Sequence, residues 1–341
     1  MPNSTGPFGR VAAAMVTPFD EAGELDVEGA RRLAVRLVDE GGCDALVLSG
    51  TTGESPVTSD GEKGALVRAV AAEVGNRARI VAGVGSSDTR HTVALARDAE
   101  ACGADGLLVV TPYYSRPTQE AVVHHLRTVA DATGLPVLLY DIPGRTGTAL
   151  ATGSLLRLAA HPRIRGVKDC AYDLLKSSRV MAETGLAYYA GCDEFALPLR
   201  AIGGAGCVST VANIAAPLVC GVLDAYDAGD RESAARRHRA LAPLTQAVMT
   251  GQPGTVAVKA LLNARGLPAG PVRGPLLDAD AGLTARLLAL LAHAEAGAGA
   301  EAGAGAEAGA GSPGRAAADA PAAVPGPAVG AGAAASHAAG P

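Results

Sequence analysis

The chain is 341 residues long, carries a formal net charge of -5 and is 48% hydrophobic. That length suits one large domain or two ordinary ones with a full apolar core. Mild acidity without a basic stripe, three Phe and no Trp argue against nucleic-acid binding, because the electrostatic footprint and the stacking platforms are both missing.

Met1–Arg10 lacks the apolar core of a signal peptide, and no stretch is long and uncharged enough to span a bilayer. A soluble cytoplasmic protein with small-molecule partners is expected, with no membrane contact. Six scattered cysteines form no C-x-x-C pair, and seven histidines are equally dispersed. The adjacent His124 and His125 would point about 100° apart on a helix, which suits no chelate. Neither a disulfide framework nor a metal site is expected.

In chain order, short runs rich in Val, Leu and Ile occur at Val11–Val16, Ala45–Leu48, Ile80–Gly83, Gly106–Val110, Val137–Tyr140, Ile164–Lys168, Leu186–Ala190 and Gly206–Val208. Between them lie amphipathic segments, among them Val27–Glu40, Ser59–Val74, Asp88–Cys102, Thr118–Ala132 and Leu174–Thr184. Asp26, Ser59, Asp88 and Thr118 stand where a side-chain oxygen can cap the first free amides of a helix. Eight strand-helix units with continuous apolar strands describe an α/β fold of the closed TIM (β/α)8 type. An open doubly wound sheet is the alternative, but Gly83-Val84-Gly85-Ser86-Ser87-Asp88 lacks the third glycine of a dinucleotide fingerprint.

The expected barrel covers 8–229. Beyond it the pattern is purely helical, over Arg231–Thr250, Thr255–Arg265 and Ala279–His293, so 230–293 reads as a small C-terminal helical domain. From 294 to 341 the composition is Ala, Gly, Glu and Pro with almost no large apolar side chain. Such a segment cannot offset its ordering entropy and is expected to be a disordered tail.

Active sites of these barrels lie at the C-terminal ends of the strands, where Thr51, Tyr113, Tyr114, Tyr140, Arg145 and Lys168 fall. Lys168 closes the apolar segment Ile164–Lys168. Burying an unpaired ammonium is costly unless it loses its proton, and a neutral amine is a Schiff-base nucleophile. The alternative is a strand-end lysine that bends out into water. Thr51 and Thr52, in Gly50-Thr51-Thr52-Gly53-Glu54-Ser55, can be turn and capping chemistry, or can cradle a carboxylate with hydroxyls and amides. Tyr113 and Tyr114 can be exposed loop aromatics and Tyr140 a core residue. Arg145, between Pro143-Gly144 and Gly147, can be a surface charge or a guanidinium fork presented to a carboxylate.

Taken in order, Gly-Thr-Thr-Gly-Glu, Thr-Pro-Tyr-Tyr, Tyr-Asp-Ile-Pro-Gly-Arg-Thr-Gly and Gly-Val-Lys-Asp resemble the dihydrodipicolinate synthase family of pyruvate-dependent class I aldolases, over roughly Phe8 to His293. The resemblance implies condensation of pyruvate with aspartate semialdehyde in lysine biosynthesis. It implies an imine on Lys168 and a proton relay of Thr51, Tyr140 and Tyr114, with Tyr114 donated across a subunit interface. It further implies a pyruvate carboxylate on Thr51 and Thr52, the semialdehyde carboxylate on Arg145, and backbone of Gly191 and Val208 lining the pocket. It also implies no cofactor and a homotetramer of tight dimers.

Two segments depart from the family pattern: Asp141 stands where many members have Asn, and Ala190-Gly191-Cys192-Asp193-Glu194 replaces a more usual Gly-Asp-Asp. Ser87, His91 and Lys63 at the positions of a lysine feedback site imply weak or absent inhibition by lysine. Two alternatives remain at this point, an aldolase or lyase for a sugar acid or other 2-oxo acid, and a catalytically silent binding or regulatory barrel.

Overall fold

The computed structural model describes residues 6–309, with side chains as far as Ala298. Eight parallel strands close into a barrel in sequence order, and the last pairs with the first. They are β1 (Val11–Ala14), β2 (Ala45–Leu48), β3 (Arg79–Gly83), β4 (Gly106–Val110), β5 (Val137–Asp141), β6 (Ile164–Asp169), β7 (Ala187–Ala190) and β8 (Gly206–Ser209). The expected (β/α)8 barrel is the observed fold.

Helices follow the strands: α1 (Val27–Val35), α2 (Asp60–Val74), α3 (Thr89–Ala101), α4 (Gln119–Asp131), the single turn α5 (Pro143–Thr146), α6 (Thr152–Ala159), α7 (Leu174–Glu183), α8 (Ala196–Ala201) and α9 (Ala212–Asp227). The four expected caps are all made. Asp26 accepts from Gly29 N at 2.8 Å, Asp88 from Arg90 N at 2.9 Å and Thr118 from Ala121 N at 3.4 Å, while Ser59 and Glu62 form a reciprocal capping box. The expected helix at Val27–Glu40 changes character, since α1 stops at Val35 and Arg36–Glu40 continues as a wider π-helical turn.

Each strand reads as a continuous apolar run because both of its faces are covered. Leu46, Ile80, Leu107 and Leu139 face outward and pack on helix residues such as Leu33, Leu66 and Leu126. The alternate residues, among them Ala12, Val47, Leu108, Leu138 and Tyr140, fill the lumen. Side chains alternate with period two, so Lys168 shares the inward face of β6 with Gly166 and, past the strand end, Cys170.

Phe8, 1% exposed, is the floor of this lumen. Its ring meets Tyr189 edge to face at 6.0 Å between centroids, and its amide donates to the Tyr189 hydroxyl at 3.1 Å. A Cβ on Gly106 would come within 2.9 Å of the Phe8 ring, which is why a glycine opens β4.

After the barrel come α10 (Arg231–Met249), α11 (Gly254–Ala264) and α12 (Ala281–Gly309). Leu244, Val248, Leu261 and Leu287 of these helices belong to the same apolar core as the barrel's helix layer. The segment expected as a small helical domain therefore shares its core with the barrel. Up to Glu301 the chain forms one compact unit; a second begins at Ala302, of which only the end of α12 is described. Helix α12 crosses the expected boundary at Ala294 because Ala and Glu are strong helix formers and Ala294 is itself buried. The rest of the tail expected to be disordered, 310–341, lies outside the described residues.

Removing the floor has a defined cost. Phe8→Ala is expected to lose about 3–5 kcal/mol of stability, read in urea as a lower midpoint at an unchanged slope.

Candidate active site

Lys168 is 4% exposed and lies on the lumen face of β6, with Nζ 4.2 Å from the centre of the Tyr140 ring on the neighbouring strand. Burial lowers its pKa and the Arg145 charge acts in the same direction, while Cys170, Cys192 and Asp193 oppose them. Desolvation is the largest cause, so the amine is held closer to its neutral, nucleophilic form than a surface lysine. The lysine does not bend out into water.

Tyr140 pairs directly with Lys168 across β5 and β6. Burial pushes its hydroxyl pKa well up, and the neighbouring Thr51 side chain pulls the other way. The phenol is therefore protonated at neutral pH and can pass a proton. Thr51 belongs to the turn after β2, closed by Glu54 N donating to Thr51 O at 3.1 Å and Ser55 N to Gly50 O at 3.2 Å. The Thr52 hydroxyl lies 3.2 Å from that of Thr210, past the end of β8.

Arg145 projects from α5, which Gly147 ends at φ +71°. The loop carrying it is pinned by Asp141. One carboxylate oxygen accepts from Leu150 N at 3.1 Å, and the other pairs with Lys176 Nζ at 2.8 Å. As the residue after inward-facing Tyr140, Asp141 holds the Arg145 loop from outside the lumen.

Two cavities meet at this end of the barrel. One, about 260 Å3, brings together Lys168, Tyr140, Thr51, Thr52, Arg145 and Gly191. The other, about 360 Å3, shares Thr51, Tyr140 and Arg145 and adds Tyr113 and Tyr114. Tyr114 is 95% exposed. Val208 lies in the lumen cluster and lines neither cavity. A buried amine, a hydroxyl pair beside it and a guanidinium at the rim are the parts needed to form an imine on a carboxylated ketone and move protons around it.

Residues 7–294 match the model of the Dihydrodipicolinate synthetase family. The chain belongs to this family. It is 63% identical over 298 residues to 4-hydroxy-tetrahydrodipicolinate synthase 1 of Streptomyces coelicolor, covering 87% of this chain and 97% of that one. Among solved structures it is similar to the dihydrodipicolinate synthase of Bacillus anthracis, with 35% identity, TM-score 0.81 and coverage of 83% and 97%. It is also similar to the lysine-bound enzyme of Cyanidioschyzon merolae, with 35% identity, TM-score 0.82 and coverage of 85% and 99%.

The second departure from the family pattern has a structural account. Asp193 is buried and accepts from the Ser209 hydroxyl, Thr210 N at 3.0 Å and Val211 N at 3.2 Å, so it fastens the turn into α9. Cys192 and Cys170 line the cavity instead. A Cβ on Gly191 would come within 2.4 Å of Cys170 Sγ and 3.0 Å of Lys168 Cγ, so this position admits only glycine beside the lysine. Cys170 was discoverable in the sequence as the residue two after Lys168. Thr210, Met249 and Thr255, also in the wall, carry no local signal that joins them to it.

Only the neutral amine attacks a carbonyl. The rate of borohydride-trapped adduct formation on Lys168 is expected to rise with pH and to level off below pH 10.5, the ordinary lysine value. A profile still climbing through that pH would contradict the burial account.

Proposed function

We propose that this chain condenses pyruvate with L-aspartate 4-semialdehyde to give 4-hydroxy-tetrahydrodipicolinate, acting in the cytoplasm on the lysine and diaminopimelate route. The observation that carries this reading is Lys168, buried with a lowered pKa against Tyr140, in one cavity with Thr51. The amine adds to the pyruvate carbonyl and water leaves, giving an imine. Loss of a methyl proton gives the enamine, whose carbon bonds to the aldehyde carbon. The aldehyde oxygen takes a proton through Tyr140 and Thr51, and the substrate's own amine then displaces Lys168 as the ring closes. The imine nitrogen is the electron sink, so this sequence uses no cofactor.

Thr51 and Thr52 hold the pyruvate carboxylate in this reading, Arg145 holds that of the semialdehyde, and Gly191 supplies backbone; Val208, which lines neither cavity, has no part in it. Tyr114 completes the relay from a neighbouring protomer in a homotetramer of tight dimers. Its 95% exposure at the mouth of the cavity supports that role, since the side chain is open to contact with another chain.

Intact-mass spectrometry after borohydride reduction with pyruvate is expected to give one adduct, absent in Lys168→Ala. Arg145→Ala is expected to keep that adduct while kcat/KM for the semialdehyde falls about a hundredfold, the loss of a charge-assisted pair. An adduct without semialdehyde turnover in the unaltered protein would transfer the assignment to another pyruvate aldolase. A fully active monomer by light scattering would remove Tyr114 from the relay.

Weak inhibition by lysine is also proposed. Lys63 Nζ donates to Thr58 O at 2.8 Å, and His91 Nε2 sits 2.9 Å from Asp60. The space beside Lys63 and Asp60 is about 20 Å3, far below the ~300 Å3 at which small-molecule pockets begin. Lysine titrated to the millimolar range is expected to leave turnover unchanged. Strong inhibition below that range would overturn this.

A further inference from the structure

The turn that carries Thr51 and Thr52 is gripped from outside the barrel. The Thr255 hydroxyl on α11 donates to the Thr52 carbonyl at 3.0 Å, and the Thr17 hydroxyl to the Gly53 carbonyl at 2.6 Å. A trans peptide is planar, with its C=O and N–H opposed. Fixing the Thr52 carbonyl therefore also fixes the direction of the Gly53 N–H.

The turn ends at Glu54, which has φ +57°. Glycine adopts that conformation freely and glutamate does not, so the carboxylate has to contribute something glycine lacks. Its Oε1 lies 2.8 Å from Lys259 Nζ, with both side chains 1% exposed, and its Oε2 accepts from Arg273 N at 2.8 Å. Lys259 in turn donates to Pro271 O at 2.7 Å and lies 4.1 Å above the Phe19 ring. Burial lowers the Lys259 pKa while Glu54 opposes the shift, so the pairing offsets the desolvation of the buried ammonium. Thr255 and Lys259 are four residues apart on one face of α11 and hold two successive parts of the turn.

We infer that Thr255 and Lys259 are positioning residues that orient the Thr51–Thr52 turn for the substrate carboxylate, so that a helix outside the barrel sets pyruvate affinity. The inference rests on reading Lys168 and this turn as the pyruvate site. Neither residue enters the chemistry; each acts through the turn.

The test compares Thr255→Val, Thr255→Ser and the pair Lys259→Met with Glu54→Gln, the last designed to leave no lone buried charge. The readout is the pyruvate concentration that gives half-maximal borohydride-trapped adduct on Lys168, beside KM, kcat and Tm. Thr255→Val is expected to raise half-saturation about fivefold with Tm lowered by only a few degrees, as for the loss of one buried hydrogen bond, with Thr255→Ser within about twofold of the original. The paired variant is expected to raise it roughly tenfold with the adduct still confined to Lys168. Unshifted half-saturation in Thr255→Val overturns the inference, whatever happens to Tm. Should the paired variant fail to fold, the two Thr255 variants decide alone. If the unaltered protein forms no adduct, the pyruvate-site reading fails and the inference goes with it; an adduct with unshifted variants removes the inference only.

Discussion

A lysine amine works as a nucleophile near neutral pH only where water is kept from it, and much of this barrel is arranged to meet that condition. The inward face of β6 delivers Lys168 to the lumen. Phe8 closes the floor beneath it, braced by Tyr189 and admitted by Gly106. The layers above are filled by apolar side chains such as Val47, Leu108 and Leu138, up to the Tyr140 ring against which the amine rests. Desolvating a charge costs several kcal/mol, and the lowered pKa of Lys168 is how the chain accommodates that cost. The outer core, shared by the barrel helices and the helices after Gly229, keeps the strands in the register that this depends on.

Division of labour between the two strand faces extends to the loops. Tyr140 and Lys168 point inward, and each is followed by an aspartate that must point outward. Asp141 takes Lys176 and Leu150 N; Asp169 takes the Ser177 hydroxyl and Ala171 N. Lys176 and Ser177 are neighbours on α7, so one helix end ties the loops after β5 and β6 together. The inward-facing residue and the anchor of its loop are thus adjacent in sequence, and the pleat separates them in space.

This local logic sets what was legible in the sequence. All eight strands were marked by apolar runs, and the caps at Asp26, Ser59, Asp88 and Thr118 by residue type, because both signals are carried within a few residues. Lys168, Tyr140, Thr51 and Arg145 were legible because they end strands or sit in Gly- and Pro-stiffened turns. α6, α8 and α9 did not stand out from the residues between the later strands, for α8 is only six residues long and α9 is apolar nearly all round, which blurs its period. The contacts of Thr255 with Thr52 and of Lys259 with Glu54 join residues more than two hundred positions apart. No periodicity or spacing rule reaches that far, and Lys259 on an otherwise apolar helix reads as a surface charge until Glu54 is seen beneath it.

The charge balance of the cavity follows from the same arrangement. Lys168, Arg145 and Arg273 line it, the last paired with Glu62; Glu54 in the same wall is paired with Lys259, and Asp193, whose charge acts on the lysine, is engaged by the Ser209 hydroxyl and by two backbone amides at the start of α9. Those donors absorb much of its field. The interaction of Cys170 with Cys192 draws the first thiol's pKa down and pushes the second's up, so the pair holds one negative charge at most. The proposed substrates both carry carboxylates, and a site whose neighbouring acids, Asp193 and Glu54, are engaged by the fold leaves the Arg145 charge to attract them. In a low-dielectric pocket that charge is worth more than the same charge on the surface. The departure at Cys192 and Asp193 therefore preserves the electrostatic requirement of the chemistry: the acid secures the turn, and the thiols, which ionise less readily, stand next to the amine.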